Sequence, residues 1–436
     1  MLTAHNDCTP ANRCSNQRIF QDSIYTLIQA LRGWLFPIRL FGTGQPLGVY
    51  VEIGVYSPSD GQHVFRSSHL ADGYPYQSIA DVDGRLPDDY GTERAAVASS
   101  SAGTDKVHGW DQGRRLPVPL SAHMRVEGSG LTLTYIPDRA YIVTGLTIRQ
   151  LSRRHIDALV VDCLFASFPN LREFVDETGH TLYTKQSTML QEPDVCFPGC
   201  FCMTDLRRVI LFRTPFGELG TDANDRLLDM EAPNRAAFSQ ALTRTALAAR
   251  VTTFSASFVV EADALLSCAL AAYSVIRGAI ETDMAKLSPW SRLVELNLTS
   301  STLCPCKPLG ARQQLLVMAG ESAYFMPALK RVSLWNGRRG NYYVFQYLND
   351  GARATVKLRS SFAGRRDLSR RVISSWANIA LVPLSVEVEA PCNETPVRTC
   401  APAVELLMRD GHSIMHPITA RRIIAEEKCF PPTVQP

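Results

Sequence analysis

Three alternating runs separated by tight-turn residues constrain this chain more than any other stretch. Arg331–Trp335 alternates and stops at Asn336-Gly337, and Tyr342–Leu348 alternates and stops at Asn349-Asp350-Gly351. Ala352–Leu358 then runs back, with Ala354, Val356 and Leu358 on one face and Arg353, Thr355 and Lys357 on the other. Asn-Gly and Asp-Gly reverse a chain sharply, because both central residues of the turn need positive φ and these types tolerate it. The stretch from Lys330 to Val388 therefore predicts a three-strand meander, a basic crossover and a further strand over Ile379–Val388.

Length and composition bound the rest. A chain of 436 residues, 45% hydrophobic and 20% charged, has room for two domains and enough apolar material to fold. A net charge of +3 is too small to imply a nucleic-acid partner by itself, which leaves nucleic acid open. Only seven of the 45 basic residues are lysine, at positions 106, 185, 286, 307, 330, 357 and 428. Such a bias fits base composition of the coding sequence, or selection for the bidentate contacts that arginine makes. Met1–Arg18 has no apolar signal core and no run approaches ~18 apolar residues, so neither export nor a membrane partner is expected. The 12 cysteines are then expected as thiols.

Taken in order, residues 1–18 read as a flexible leader. Residues 19–215 read as an N-terminal β-rich domain. It opens with a helix over Ile19–Trp34 and strict alternation at Val49, Val51, Ile53 and Val55. An exposed insertion over residues 57–115 is dense in Gly, Ser, Asp and Pro. Strands are expected at Leu131–Tyr135, Ala140–Ile148 and Val209–Thr214, and the apolar run His155–Phe168 reads as a buried central strand. Residues 216–390 read as a C-terminal β-rich domain, with a helix over Ala232–Arg250, a strand over Thr252–Val260 and a long core helix over residues 261–287. Residues 391–436 form a Pro- and Cys-containing tail with short helices at Val404–Met408 and Thr419–Glu427. The fold class expected is α+β and β-rich, with two antiparallel sheets and one long core helix.

No catalytic motif stands out. Gly128-Ser129-Gly130 lacks the spacing of a nucleophile elbow, and His412 and His416 fall between Gly411 and Pro417, which favours a loop over a shared helix face. The densest thiols are Cys196, Cys200 and Cys202, with Cys304 and Cys306 as a second group. Cys196-x3-Cys200 fits one zinc hook, but Cys304-x-Cys306 is too tight for the other, so separate thiols are the favoured reading and no cofactor is expected. Two clusters suit binding. Arg359, Arg365, Arg366, Arg370 and Arg371, with Ser360 and Ser361, offer bidentate donors to phosphate or carboxylate. Met408, flanked by Glu405 and Asp410, suits an apolar plug with acidic flanks set in a partner's groove.

Leu358-Arg359-Ser360-Ser361, followed by Arg365 and Arg366, resembles the Gly-Arg-Ser-Ser phosphate-contacting motif of dUTPases, with Leu358 in place of the glycine. Leu131–Leu151, with Ile142-Val143-Thr144-Gly145, resembles a strand-turn-strand stretch of gammaherpesvirus dUTPase-related proteins. The uracil-reading motif and the acid that activates water have no counterpart, so dUTP hydrolysis is not implied. The resemblance implies dUTPase-like, jelly-roll-type domains in a non-enzymatic viral accessory protein. Its implied partners are host regulatory proteins of interferon signalling or nuclear mRNA export, and other viral proteins. It would act in the host nucleus and cytoplasm or in the virion tegument. A structural tegument or capsid-associated protein and a dUTPase-type nucleotide hydrolase are the alternatives.

Overall fold

In the computed structural model the described residues are 10–34, 48–54, 110–111, 114–115, 131, 133, 138–148, 156, 158–177, 205–212, 242, 250–279, 290–338, 341–389 and 400–429. They are α+β and β-rich. Ten strands form one sheet in the order β1-β4-β5-β6-β7-β8-β9-β10-β11-β12, and β2 (Trp110–Asp111) pairs only with β3 (Arg114–Arg115). The first seven sheet strands are β1 (Val49–Ile53), β4 (Val143–Ile148), β5 (Glu173–Asp176), β6 (Arg208–Phe212), β7 (Thr253–Glu261), β8 (Glu295–Thr299) and β9 (Arg331–Arg338). Each runs parallel to the one before it. Only β10 (Asn341–Asn349), set between β9 and β11 (Ala354–Ser360), is antiparallel to its neighbours, and β12 (Leu384–Val388) lies parallel to β11.

A repeated sequence unit explains the stacking. At the parallel strands from β4 to β9 an apolar residue recurs at positions i, i+3 and, except at β5, i+5. The sets are Val143/Leu146/Ile148, Leu206/Val209/Leu211, Val251/Phe254/Ala256, Leu293/Leu296/Leu298 and Leu329/Val332/Leu334, all buried. Leu171/Phe174 follows the same rule, with Asp176 at the third place. The strand registers align the second member of every set: Leu146, Phe174, Val209, Phe254, Leu296 and Val332 face one another across the sheet. Each unit carries one apolar strand face that it cannot bury alone, so neighbours stack in chain order, which is the logic of a solenoid.

Helices cover that apolar face. They are α1 (Pro10–Arg32), α2 (Ala158–Ser167), α3 (Ala262–Ala279), α4 (Leu309–Ala323) and α5 (Arg370–Ala377). Ile24 and Ile28, Val160 and Leu164, Leu265 and Leu266, Leu315 and Leu316, and Val372 and Trp376 join the strand residues in one core. The opposite face carries a second, smaller core. Phe212, Trp335 and Val344 pack there against α6 (Ala401–Arg409) and α7 (Pro417–Cys429).

Several expectations change. His155–Phe168 was expected as a strand, but Val160, Val161, Leu164 and Phe165 are buried at helical spacing on α2, and Phe168 is buried just past its end. The leader expected over 1–18 is helical from Pro10. Asn336-Gly337 is not a turn but part of β9. Asn336 is buried and donates to Ser300 O at 3.0 Å, and a Cβ on Gly337 would lie 2.8 Å from Cys400 Cα, so the glycine admits α6. The expected turn at Asn349-Asp350-Gly351 is present: Gly351 has φ +91° and Asp350 Oδ1 accepts from the amides of Ala352 and Arg353. The two antiparallel sheets give way to one largely parallel sheet, because β6 and β7, on either side of the expected boundary at 215/216, are hydrogen-bonded neighbours. Within 57–115 only β2 and β3 are described. The helix expected over Ala232–Arg250 falls outside the described residues except at Leu242, which is helical, Arg250 being non-helical.

Candidate functional site

Alternation along a strand sends every second side chain to the face opposite the main core. Across the parallel strands that face presents polar rows. One row is Glu173, Arg208, Thr253, Glu295 and Arg331, and the next contains Ser255, Asn297, Ser333 and Gln346. Glu295, Ser255, Asn297, Ser333 and Gln346 are all buried. Burial of this much polar surface requires partners, since an unpaired buried group costs on the order of 1–3 kcal/mol.

The partners come from the connection between α6 and α7, residues 411–416. Gly411, with φ +77°, ends α6 and turns the chain onto the sheet. Arg331 Nη1 donates to Gly411 O at 2.8 Å. The Ser413 amide donates to Glu295 Oε1 at 2.6 Å, and Asn297 Nδ2 donates to Ser413 O at 3.3 Å and Glu295 Oε1 at 2.8 Å. Ser255 Oγ donates to Ile414 O at 3.4 Å. The His416 amide donates to Glu177 Oε1 at 2.6 Å, and Thr419 Oγ1 donates to Glu177 Oε2 at 2.5 Å. The strap thus passes from β9 through β8 and β7 to the end of β5. Nearly every bond to it reaches main chain.

One strap side chain enters the network. His412 Nδ1 lies 3.0 Å from Asn297 Oδ1, which also accepts from Ser333 Oγ at 2.5 Å. An acceptor on that side assigns the Nδ1–H tautomer. Nε2 is buried without a hydrogen-bond partner among the described residues. Burial pushes the imidazole down to about 4, against the pull of Glu295 3.7 Å away, so it is neutral at physiological pH. His412, Glu295 and Ser333 are acid–base groups by type, and each is buried where the strap crosses the sheet.

The candidates read from the sequence divide into two groups. Arg359 does not face solvent. Its Nε donates to Glu389 Oε1 at 2.5 Å, and its Nη1 donates to Gln346 Oε1 at 3.3 Å and to Asp410 Oδ2. Burial raises the Asp410 carboxyl, but hydrogen bonding from Arg359 outweighs it and holds the group below the usual range. Ser360 Oγ accepts from the amides of Phe362 and Ala363, so the Leu-Arg-Ser-Ser stretch is occupied by internal contacts, unlike the phosphate-contacting role its resemblance implied. Met408 is half-buried against the second core, and Glu405 is exposed on α6. Asp410 joins this helix to Arg359, so two clusters read as separate meet at one ion pair.

Arg365, Arg366, Arg370 and Arg371 are exposed where the chain leaves β11 and enters α5. None of the four forms an ion pair among the described residues. Cys306, exposed, donates its S–H to half-buried Cys304 at 2.9 Å, whereas Cys196, Cys200 and Cys202 lie outside the described residues. No group of three potential metal ligands occurs among the described residues. Sequence reasoning missed β5 and β8, and with them Glu177, Glu295 and Asn297. The Leu293-x-x-Leu296-x-Leu298 spacing, compared with its copies at 206 and 329, is the signal that finds them.

Fold and site together define a repeat-built parallel sheet, clad with helices on one face and strapped by its own chain on the other. Residues 202–416, just under half of the chain, match the model of a family described only as of unknown function, DUF6546. That match spans β6 through the strap, including Glu295, Asn297, Arg331 and His416, and leaves out Glu177. Neither a curated protein nor a solved structure matches the chain.

Proposed function

We propose that this chain is a non-enzymatic scaffold that binds protein partners. The observation that carries the reading is the quartet Arg365, Arg366, Arg370 and Arg371. The four residues form an exposed edge where the chain leaves β11 and enters α5, and they lack acidic partners among the described residues, whereas Arg359 in β11 is paired with Glu389 and Asp410. Arginine forks match carboxylates bidentately, so the edge suits an acidic protein surface. Repeat-built sheets of this kind present extended surfaces to partners and need no reactive centre.

Affinity capture with the full chain tests the reading. Partners retained by the native chain are lost when Arg365, Arg366, Arg370 and Arg371 are changed to Glu, with the thermal midpoint unchanged. Retention of every partner by that variant sinks the proposal. Host factors of interferon signalling or mRNA export, implied by the viral resemblance, enter the same assay as defined preys. Turnover of any nucleoside triphosphate by the purified chain would replace this reading with the hydrolase alternative.

A further inference from the structure

The strap differs from the other segments packed on the sheet. Helices α1 to α5 are held by apolar side chains, which makes their contacts specific to sequence and costly to expose. Residues 411–416 are held through the carbonyls of Gly411, Ser413 and Ile414 and the amides of Ser413 and His416. Main-chain groups are the same in every peptide. Apart from Asn297 Oδ1, which His412 Nδ1 meets at 3.0 Å, the row of side chains reads only these groups and accepts any extended segment whose side chains fit. The fit is set by Ile414 and Met415, adjacent and both buried against Phe212, Trp335 and their neighbours.

Three features make the strap removable. It is one short continuous stretch, so it can leave without drawing a strand from the sheet. It lacks regular secondary structure, so its departure breaks no strand pairing and costs only the end bonds it shares with α6 and α7, from the amides of Gly411 and His412 and to the carbonyl of His416. The groups it uncovers include two carboxylates, Glu177 and Glu295, and water re-solvates these, which offsets part of the lost bonding. A strap held by apolar contact alone would lack that compensation.

We propose that the polar ladder formed by Glu177, Ser255, Glu295, Asn297 and Arg331 is a peptide-binding surface. Its partner is an extended segment carrying two adjacent bulky apolar residues, and residues 411–416 occupy the surface in cis as a self-ligand. This inference rests on the scaffold reading but uses a different surface from the arginine edge, so either can fail alone. Tethering gives the strap an effective concentration of about 1 mM, and a partner must outcompete it.

The test uses a labelled synthetic peptide of residues 409–419 and the full chain. In the Ile414→Asp variant the strap loses its apolar anchor while the ladder stays intact. The peptide is expected to bind this variant at least about tenfold more tightly than the native chain, as tethering predicts. N-methylation at the positions of Ser413 and His416 is expected to abolish binding. Absence of saturable binding to a variant with native circular dichroism overturns the proposal, and so does undiminished binding of the methylated peptide. If Ile414→Asp does not fold, hydrogen exchange on the native chain decides. Excess peptide must accelerate exchange at the Ser413 and His416 amides while β8 stays protected. Strap amides that exchange only with global unfolding overturn the proposal. Partner capture through the arginine edge is unaffected by any of these outcomes.

Discussion

At the scale of single residues, His412 and Arg359 are the strongest commitments. His412 is neutral in the folded chain because its folded value, about 4, lies below the ordinary 6.5. A group whose folded value is depressed binds its proton more readily when unfolded. Its contribution to stability is therefore intact above about 6.5 and is lost as pH falls from there towards about 4. A shift of this size corresponds to at most about 3 kcal/mol. Glu295, Arg331 and Asp410 are the charged groups that act on the ring, and of these only Glu295 and Asp410 favour its protonation. Urea midpoints at pH 7 and pH 5 should differ in the native chain and converge in His412→Gln; equal slopes in both would refute the assignment. Arg359→Ala removes a buried cation that links Glu389, Gln346 and Asp410, and should cost about 3 kcal/mol in chemical denaturation. Arg365→Ala, on the exposed edge, should stay within about 0.5 kcal/mol.

At the scale of elements, glycine substitutions separate crowded from open positions. A Cβ on Gly337 would lie 2.8 Å from both Cys400 Cα and Cβ, so Gly337→Ala should destabilise by about 1–3 kcal/mol by forcing α6 off β9. Nothing lies within 4 Å of a Cβ on Gly310 in α4, and Gly310→Ala should raise the melting midpoint through a gain of up to about 1 kcal/mol. The same contrast shows what could be read in advance. Strong alternation revealed β1, the first part of β9, β10 and β11, and the Asn-Asp-Gly turn revealed its hairpin. Asn336-Gly337 misled because the glycine there answers a tertiary approach, not a reversal. The run 155–168 misled because a short apolar stretch fits a buried strand or a buried helix equally well. Parallel pairing stayed hidden for another reason: it joins strands through long connections, and only comparison among the Leu-x-x-Leu-x-Leu copies exposes it. The candidate clusters were legible as residue types, but not their fate. Nothing local to Arg359 announces Asp410 as its partner 51 residues away.

At the scale of the molecule, stability depends on cooperation between neighbouring units, since each strand touches only the one before and the one after. The strap adds a tie across that order, joining the end of β5 to β9 through Glu177, Ser255, Glu295, Asn297 and Arg331. Ser413→Pro deletes the amide that Glu295 accepts. It should lower stability by about 1–3 kcal/mol and broaden the denaturation transition, because the units then melt less in concert. A transition that stays equally sharp would show that stacking alone supplies the cooperativity.

Synthesis runs from the amino end, so the five side chains that grip residues 411–416 emerge from the ribosome well before the segment they grip. The parallel strands can assemble in order as each appears, yet their outer face must wait, hydrated and uncovered, until translation reaches the last helices. During that interval any extended chain nearby has unopposed access to it. Ribosome-stalled chains ending at residue 400 should therefore cross-link to added peptide where released chains do not, and equal labelling of both would contradict the order of events.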